Sequence, residues 1–519
     1  MNEFVLCSVK LIHVEGIEGN GDFGDQQMKS FNHRENSEST ELETQLNIRI
    51  NMIKNLILSE QSDPKLYMQL GSLYMQKGKY KSAELAIKNA IHLKADYKEA
   101  YLNLFLALKD QGKIETAKEY MFKLIRINPT FPESYLNLGG LFLYENNLIE
   151  SEFYIKKALA ISPNLAEAHY NLGRIFEAQG RLNESMEEII QSINLDNNFA
   201  KAYYTLSTFK QPKLSKILTS YLFSEEILNK SFLRDKIEIY YARSNLLHKK
   251  GDFLLSSQYL LLANENKREM NPFDVNRYIK SIQEIVSKNL NLYPKESNFS
   301  ENPENIFIVG MPRSGSTLIE SILSLNPNSR ALGEANALEE SIFELNYLFS
   351  SEKKLNLDEI YRCKVNRMMP WKDINIDKQL YNYLYIPIII NKIYNSRIIS
   401  CYRNPRDNIL SLYRTNFNDG NLFSNSLLDS IKVLNNQRRI MKTYQERYTK
   451  SIYSLNYDVL VNNPEVEIRK LISWLGWKWN DSYLFPHLNK RVVSTASNIQ
   501  VRSPIRNSSV GSWTKYRNL

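Results

Sequence analysis

The chain has 519 residues, too many for one ordinary core, so two to four domains are expected. Its 43 % hydrophobic and 24 % charged residues suit a soluble globular protein, and a net charge of +9 without a dense Lys/Arg run fits anionic ligands better than nucleic acid. Cys7, Cys363 and Cys401 form no CxxC pair, which disfavours a disulfide framework or a zinc site. No apolar run reaches membrane-spanning length, and the start "MNEFVLCSVKLIHVEG" makes a poor signal peptide. A cytoplasmic setting is therefore expected.

In chain order, residues 1–45 are polar and aperiodic and are expected to be weakly ordered. A repeat then begins. Tyr67, Tyr101, Tyr135, His169 and Tyr203 stand 34 residues apart, followed three positions later by Leu70, Leu104, Leu138, Leu172 and Leu206. Small residues recur at Ala83, Ala117, Ser151 and Ser185. "QKGKY", "DQGKI" and "AQGRL" place Gly where a left-handed turn between two helices costs least, and "ENNLI" places Asn there. A 34-residue period of this kind resembles the tetratricopeptide repeat, in which each unit is a helix pair that buries its apolar face by stacking. The solenoid is expected over 46–265, with clear repeats at 64–206 and a degenerate pair at 237–263. Such arrays usually bind peptides or partner proteins on the concave face.

A linker is expected over 266–304, and an α/β domain over 305–519. "NIFIVG" reads as a buried strand, "MPRSGS" as a turn and "TLIESILSL" as a helix. Backbone N–H groups of such a loop favour an anion. Gly315 lets the backbone come close, Ser314, Ser316 and Thr317 add hydroxyls, and Arg313 adds a planar cation. An ordinary strand-to-helix turn is the alternative. No Lys follows Gly315, so ATP hydrolysis is disfavoured.

The stretch "VGMPRSGSTLIESIL" with "GE" at 333–334 resembles the 5′-phosphosulfate loop of sulfotransferases that use PAPS (3′-phosphoadenosine 5′-phosphosulfate). "SRIISCYRNPRDNILSLYRTNF" resembles their 3′-phosphate motif, and "RVVSTASNIQVRSPIRNSSVGSW" is similar to their nucleotide-covering loop. With the repeats in front, the chain resembles the bacterial tetratricopeptide-repeat sulfotransferases, related to tyrosylprotein sulfotransferases. The resemblance implies a P-loop-like α/β fold with a parallel sheet.

The same resemblance implies that Arg313, Ser314, Gly315, Ser316 and Thr317 hold the phosphosulfate, and that Arg403 and Ser411 hold the 3′-phosphate. Tyr457 and Arg502 join the nucleotide site, with Arg506 a further candidate. Glu334 would be the base; Glu339, Glu340 and Asp377 are its alternatives, because the family's second Glu is replaced by Ala335. Arg313, Lys378 and Ser497 would stabilise the transition state. No metal is implied. The acceptor would be a peptide, protein or saccharide hydroxyl. Ser512 replaces the Lys that precedes the family's final Trp, leaving that contact missing or supplied by Lys515. A binding scaffold with an inactive transferase-like domain stays open beside the enzyme.

Overall fold

A computed structural model describes residues 28–210, 215–290, 292, 303–348, 356–369, 372–417, 420–489, 491–493, 495 and 497–519. The first helix, Met28–Ser59, begins inside the segment expected to be weakly ordered; residues 1–27 of that segment lie outside the described residues. Leu46, Ile50, Ile53 and Ile57 line one stripe of this helix and pack with Leu70, Leu73 and Ala86. Average polarity conceals a stripe of this width.

Four helix pairs follow: Pro64–Gln76 with Tyr80–Leu93, Lys98–Asp110 with Ile114–Ile127, Pro132–Tyr144 with Leu148–Ile161, and Ala166–Gln179 with Leu182–Leu195. The helix Ala200–Thr208 comes next. The turn positions take left-handed φ as expected: Gly78 at 65°, Gly112 at 71°, Gly180 at 84°, and Asn146 at 62° in the third pair. Close helix approach sets the small-residue positions. A Cβ on Gly71 would meet Ile87 at 2.4 Å, and one on Gly139 would meet Ile155 at 2.7 Å.

The chain divides into two compact units between Ile175 and Phe176. The second unit runs to Leu519 and includes helices as well as a sheet. Leu233–Lys250 and Phe253–Met270 form a helix pair joined at Gly251, φ 83°. The stretch expected as a linker holds a helix, Val275–Asn289, whose Ile282 and Val286 are buried with Phe307, Val309 and Ile398. Its apolar residues Tyr278, Ile282, Ile285 and Val286 recur at helical spacing, a signal that the flanking Pro/Asn-rich stretch obscures.

Five parallel strands form the sheet: β1 (Asn305–Gly310), β2 (Ser329–Gly333), β3 (Ile374–Asp377), β4 (Ser396–Tyr402) and β5 (Ile452–Asn456), in the order β2-β3-β1-β4-β5. Successive side chains point to opposite faces. Phe307 and Val309 join one buried cluster with Tyr361, Ile386 and Tyr444, while Ile306 and Ile308 join another with Ile319, Leu460 and Leu471. Both faces are covered by helices, so the strands read as continuous apolar runs. The helix pair 233–270 packs beside this domain: Tyr241 and Leu260 cluster with Leu410, Tyr413 and Tyr516. Asn264 Nδ2 donates to the Tyr413 carbonyl at 3.1 Å, and the Tyr516 hydroxyl bonds His248 Nδ1 at 2.9 Å and Ser256 Oγ at 2.8 Å. Among the described residues, no helix is long and apolar enough to cross a membrane.

Candidate active site

In an open parallel sheet, ligands bind beyond the carboxyl ends of the strands, near the point where the strand order reverses. β1 is that point here, with β3 and β4 on either side. Each strand ends on a residue or loop singled out by sequence. β1 leads into 311–315, β2 into Glu334, β3 into Lys378, β4 into Arg403 and β5 into Tyr457.

The loop is shaped by glycine. A Cβ on Gly310 would stand 2.4 Å from the Cys401 carbonyl oxygen, so β1 and β4 can approach only with Gly at this point. Gly315 caps the helix Ser316–Leu323 at φ 97°, and a Cβ there would strike the Tyr457 ring at 2.3 Å. Ser314, Ser316 and Thr317 are buried, and the Ser314 hydroxyl has no hydrogen-bond partner among the described residues. Thr317 Oγ1 lies 3.4 Å from Thr495 Oγ1. Asn408 Nδ2 donates to the Pro312 carbonyl at 2.9 Å, which ties the loop to the helix Pro405–Tyr413.

Arg313 has φ 67°, a left-handed conformation that costs a non-glycine residue about 1–2 kcal/mol. Among the described residues its guanidinium donates from Nε to Ser411 Oγ at 3.1 Å, from Nη1 to Ser497 Oγ at 2.6 Å and from Nη2 to Gln500 Oε1 at 2.9 Å. Burial, helped by the neighbouring Arg403, draws its pKa down to about 10, so it stays charged at neutral pH. Ser411 and Ser497 thus meet through Arg313. Gln500 was not singled out from sequence, because a helix as short as Asn498–Val501 carries no periodic signal.

Arg403 is 9 % exposed and stacks over the Tyr457 ring, 4.9 Å from its centroid. Its Nη2 donates to the Ser509 carbonyl at 3.0 Å, while its Nε is buried without a partner among the described residues. The Tyr457 hydroxyl lies 3.1 Å from Ser509 Oγ. Buried Asp407 secures the C-terminal segment by accepting from Gly511 N at 2.8 Å, Ser512 Oγ at 3.1 Å and Trp513 N at 2.9 Å. Ser512 therefore has a partner of its own, and Lys515 lies over the Phe253 ring instead. Arg506 is exposed. Arg502 is not brought to the loop. Its Nη2 donates to the carbonyls of Ala178 at 2.8 Å and Arg491 at 3.1 Å, capping the last turn of the helix Ala166–Gln179, whose carbonyls lack intrahelical donors.

Glu334 and Lys378 form an ion pair, with Nζ 2.7 Å from Oε1. Lys378 is fully buried, whereas the Glu334 side chain is 37 % exposed and open to an incoming group. Burial raises the Glu334 carboxyl, but the Lys378 ammonium outweighs it and leaves the pKa below the usual range. Behind this pair stands Glu320, which is 1 % exposed. It accepts the Gly333 N–H at 3.0 Å through Oε1 and Arg491 Nη2 at 2.9 Å through Oε2, with Lys378 Nζ at 3.8 Å. Neither Glu320 nor Arg491 was singled out from sequence.

The other candidate bases are occupied elsewhere. Glu339 accepts the Tyr385 hydroxyl at 3.1 Å, and Glu340 pairs with Lys364 at 3.6 Å. Asp377 precedes Lys378 and is turned away from it, accepting from Tyr361 Oη, Gln379 N and Asn382 Nδ2 at 3.0–3.1 Å. Burial pushes its pKa up to about 7. The folded protein therefore holds a proton there that the unfolded chain releases near pH 4, and this contribution to stability falls as pH rises from about 4 to 7. Asp377→Asn keeps acceptors for Gln379 and Asn382 without the buried charge. The variant is expected to flatten the pH dependence of thermal melting in that window, with melting at pH 8 unchanged or higher.

Comparison with known proteins places these units. The tetratricopeptide repeat model matches residues 64–97, 98–131, 132–165 and 166–199, and the sulfotransferase family model matches 303–369 and 356–481. A protein of Aquifex aeolicus (strain VF5), described only as uncharacterized, is 29 % identical over 295 residues. That match covers 52 % of this chain and 38 % of the relative, so the chain spans well under half of the relative's length. Among solved structures, MamA is 19 % identical over 31 % of this chain and 95 % of its own, with a TM-score of 0.28. YrrB, a tetratricopeptide-repeat protein with an unusual peptide-binding site, is 15 % identical over 40 % of this chain and 96 % of its own, with a TM-score of 0.27.

Proposed function

We propose that this tetratricopeptide-repeat protein, with its C-terminal sulfotransferase-like domain, moves a sulfuryl group from PAPS to an acceptor hydroxyl. One observation carries the reading: all five parallel strands deliver a motif residue to the same edge of the sheet. The residues present fit the donor. Ser314 Oγ and Arg403 Nε are buried polar groups without partners among the described residues, and the Tyr457 ring packs directly against Gly315 of the same loop. The loop 313–317 would hold the 5′ end of the donor. Arg403 would hold the 3′-phosphate, with Ser411 acting beside Arg313. Tyr457 would line the nucleotide.

PAPS supplies a sulfuryl group on a leaving group that is already a stable anion, so the protein's work is positioning and charge stabilisation. Arg313 and Lys378 would offer positive charge where negative charge develops on the leaving oxygen, and Ser497 keeps the Arg313 fork in place. Glu334 accepts the acceptor's proton. Because Lys378 keeps this carboxylate ionised, the acid limb of the rate profile falls below the ordinary carboxylate range. A protein tyrosine or a saccharide hydroxyl is the acceptor we assign, presented by the repeats or by a partner bound to them. Kinship with tyrosylprotein sulfotransferases and a cytoplasmic setting belong to the same proposal.

The test is calorimetric titration with PAP (adenosine 3′,5′-bisphosphate), with ATP as control. Micromolar PAP binding is expected, without comparable ATP binding. Arg403→Ala is expected to weaken PAP about ten- to hundredfold, the loss of a charge-assisted contact. Absence of PAP binding would overturn the reading in favour of a binding scaffold.

A further inference from the structure

Four charged side chains meet behind the sheet's edge. Glu334 follows β2, Lys378 follows β3, Glu320 lies on the helix that begins at the anion loop, and Arg491 comes from the C-terminal segment. The two acids and two bases balance. Lys378 is fully buried and Glu320 is 1 % exposed, so neither charge is compensated by water. A buried ammonium that depended on one carboxylate could leave it only at the cost of stranding both charges. Lys378 has two carboxylates: Glu334 at 2.7 Å and Glu320 at 3.8 Å.

We propose that Glu320 is a positioning residue that lets Lys378 turn from Glu334 toward the leaving oxygen. Glu320 is itself fixed, because one oxygen is bound by the Gly333 N–H and the other by Arg491, which also donates to Ser321 Oγ at 3.0 Å. It therefore stays in place while Lys378 swings, and keeps the ammonium compensated throughout. Glu334 is then released as a free carboxylate at the moment when the acceptor proton must be taken. Glu320 lies four residues after Ser316, so the same short helix presents the loop at one end and holds the lysine on its side. This inference rests on the transferase reading above.

The test compares Glu320→Gln and Glu320→Asp with the unchanged protein. Gln keeps the shape and an acceptor for Gly333 N–H but removes the charge; Asp keeps the charge on a shorter arm. PAP affinity is read by calorimetry. Turnover is read with water as acceptor, as labelled sulfate released from PAPS: the bond from sulfur to the bisphosphate oxygen breaks, one from sulfur to the water oxygen forms, and the water's proton passes through Glu334 to solvent. Glu320→Gln is expected to keep PAP affinity within about threefold and to lose at least about tenfold in turnover. The acid limb of its rate profile moves to lower pH, since Glu334 then holds Lys378 undivided. Asp377, Cys401 and Tyr381 also face this cluster and are unchanged in both variants. Glu320→Asp is expected to recover part of the rate. Turnover unchanged in Glu320→Gln overturns the proposal. So does a loss of PAP binding and of thermal stability in both variants alike, which would mark a purely structural role. Failure of the unchanged protein to bind PAP is a separate result that overturns the transferase reading and this inference together.

Discussion

Arg313→Gly is expected to lose about 100- to 1,000-fold in transfer rate while its melting temperature falls only modestly. The two effects have separate sources. Arg313 sits at φ 67°, where glycine is at ease and any other residue is strained. Removing the side chain relieves that strain by about 1 kcal/mol, against the loss of hydrogen bonds to Ser411, Ser497 and Gln500. Its charge, however, would be aimed at the leaving group, and loss of one such preorganised donor typically costs about 3–4 kcal/mol of barrier. Arg313→Lys tests geometry against charge. A lysine ammonium cannot reach three acceptors in one plane, so it is expected to recover less than a tenth of the rate. A purely structural arginine would show a different pattern, with activity falling only as far as the folded fraction does.

Lys378→Met is the second large effect, and here stability and activity fall together. Methionine replaces the apolar stem but not the ammonium, and so leaves Glu320 with Arg491 as its remaining cation and Glu334 with none. Glu334 is 37 % exposed, so water takes over part of the lost pairing and the cost stays below the roughly 3–5 kcal/mol of a fully buried pair, but the melting transition should still drop. The loss should be larger at neutral than at acid pH. Glu334 has its pKa lowered in the fold, so the pair stabilises above the unfolded value and that stability disappears as pH falls through the folded one. Below that range the variant and the unchanged protein should converge. Melting curves taken across pH 3 to 8 would show the convergence or its absence.

The residues legible in sequence share a property: their signal is local. The loop Arg313–Thr317 follows its strand directly, Glu334, Lys378, Arg403 and Tyr457 each stand next to a strand end, and the 34-residue period fixes the helix turns down to Asn146. The residues that escaped notice take their roles from distant partners. Glu320 looks like an ordinary surface acid until Arg491, 171 positions away, closes on it. One clue was available, because Leu318, Ile319, Ile322 and Leu323 leave a helix of eight residues little free face, and an acid among them needs a buried partner. Arg502 shows the converse. It lies in the right segment, yet the carbonyls at the end of the helix Ala166–Gln179 claim it. The helix Val275–Asn289 was hidden by the Pro/Asn-rich run that follows it, although its apolar spacing is regular.

The docking of the helix pair 233–270 against Leu410, Tyr413 and Tyr516 bears on how such a protein can be inherited and recombined. A gene fusion that joined a foreign segment directly to β1 would strip Tyr413 and Tyr516 of their apolar cover and leave the Tyr516 hydroxyl without His248 and Ser256. The exchangeable cassette therefore starts before the helix pair 233–270 rather than at the first strand. Lineages that swap their repeats should do so upstream of that point, and carry the last helices along with the sheet as a single heritable piece.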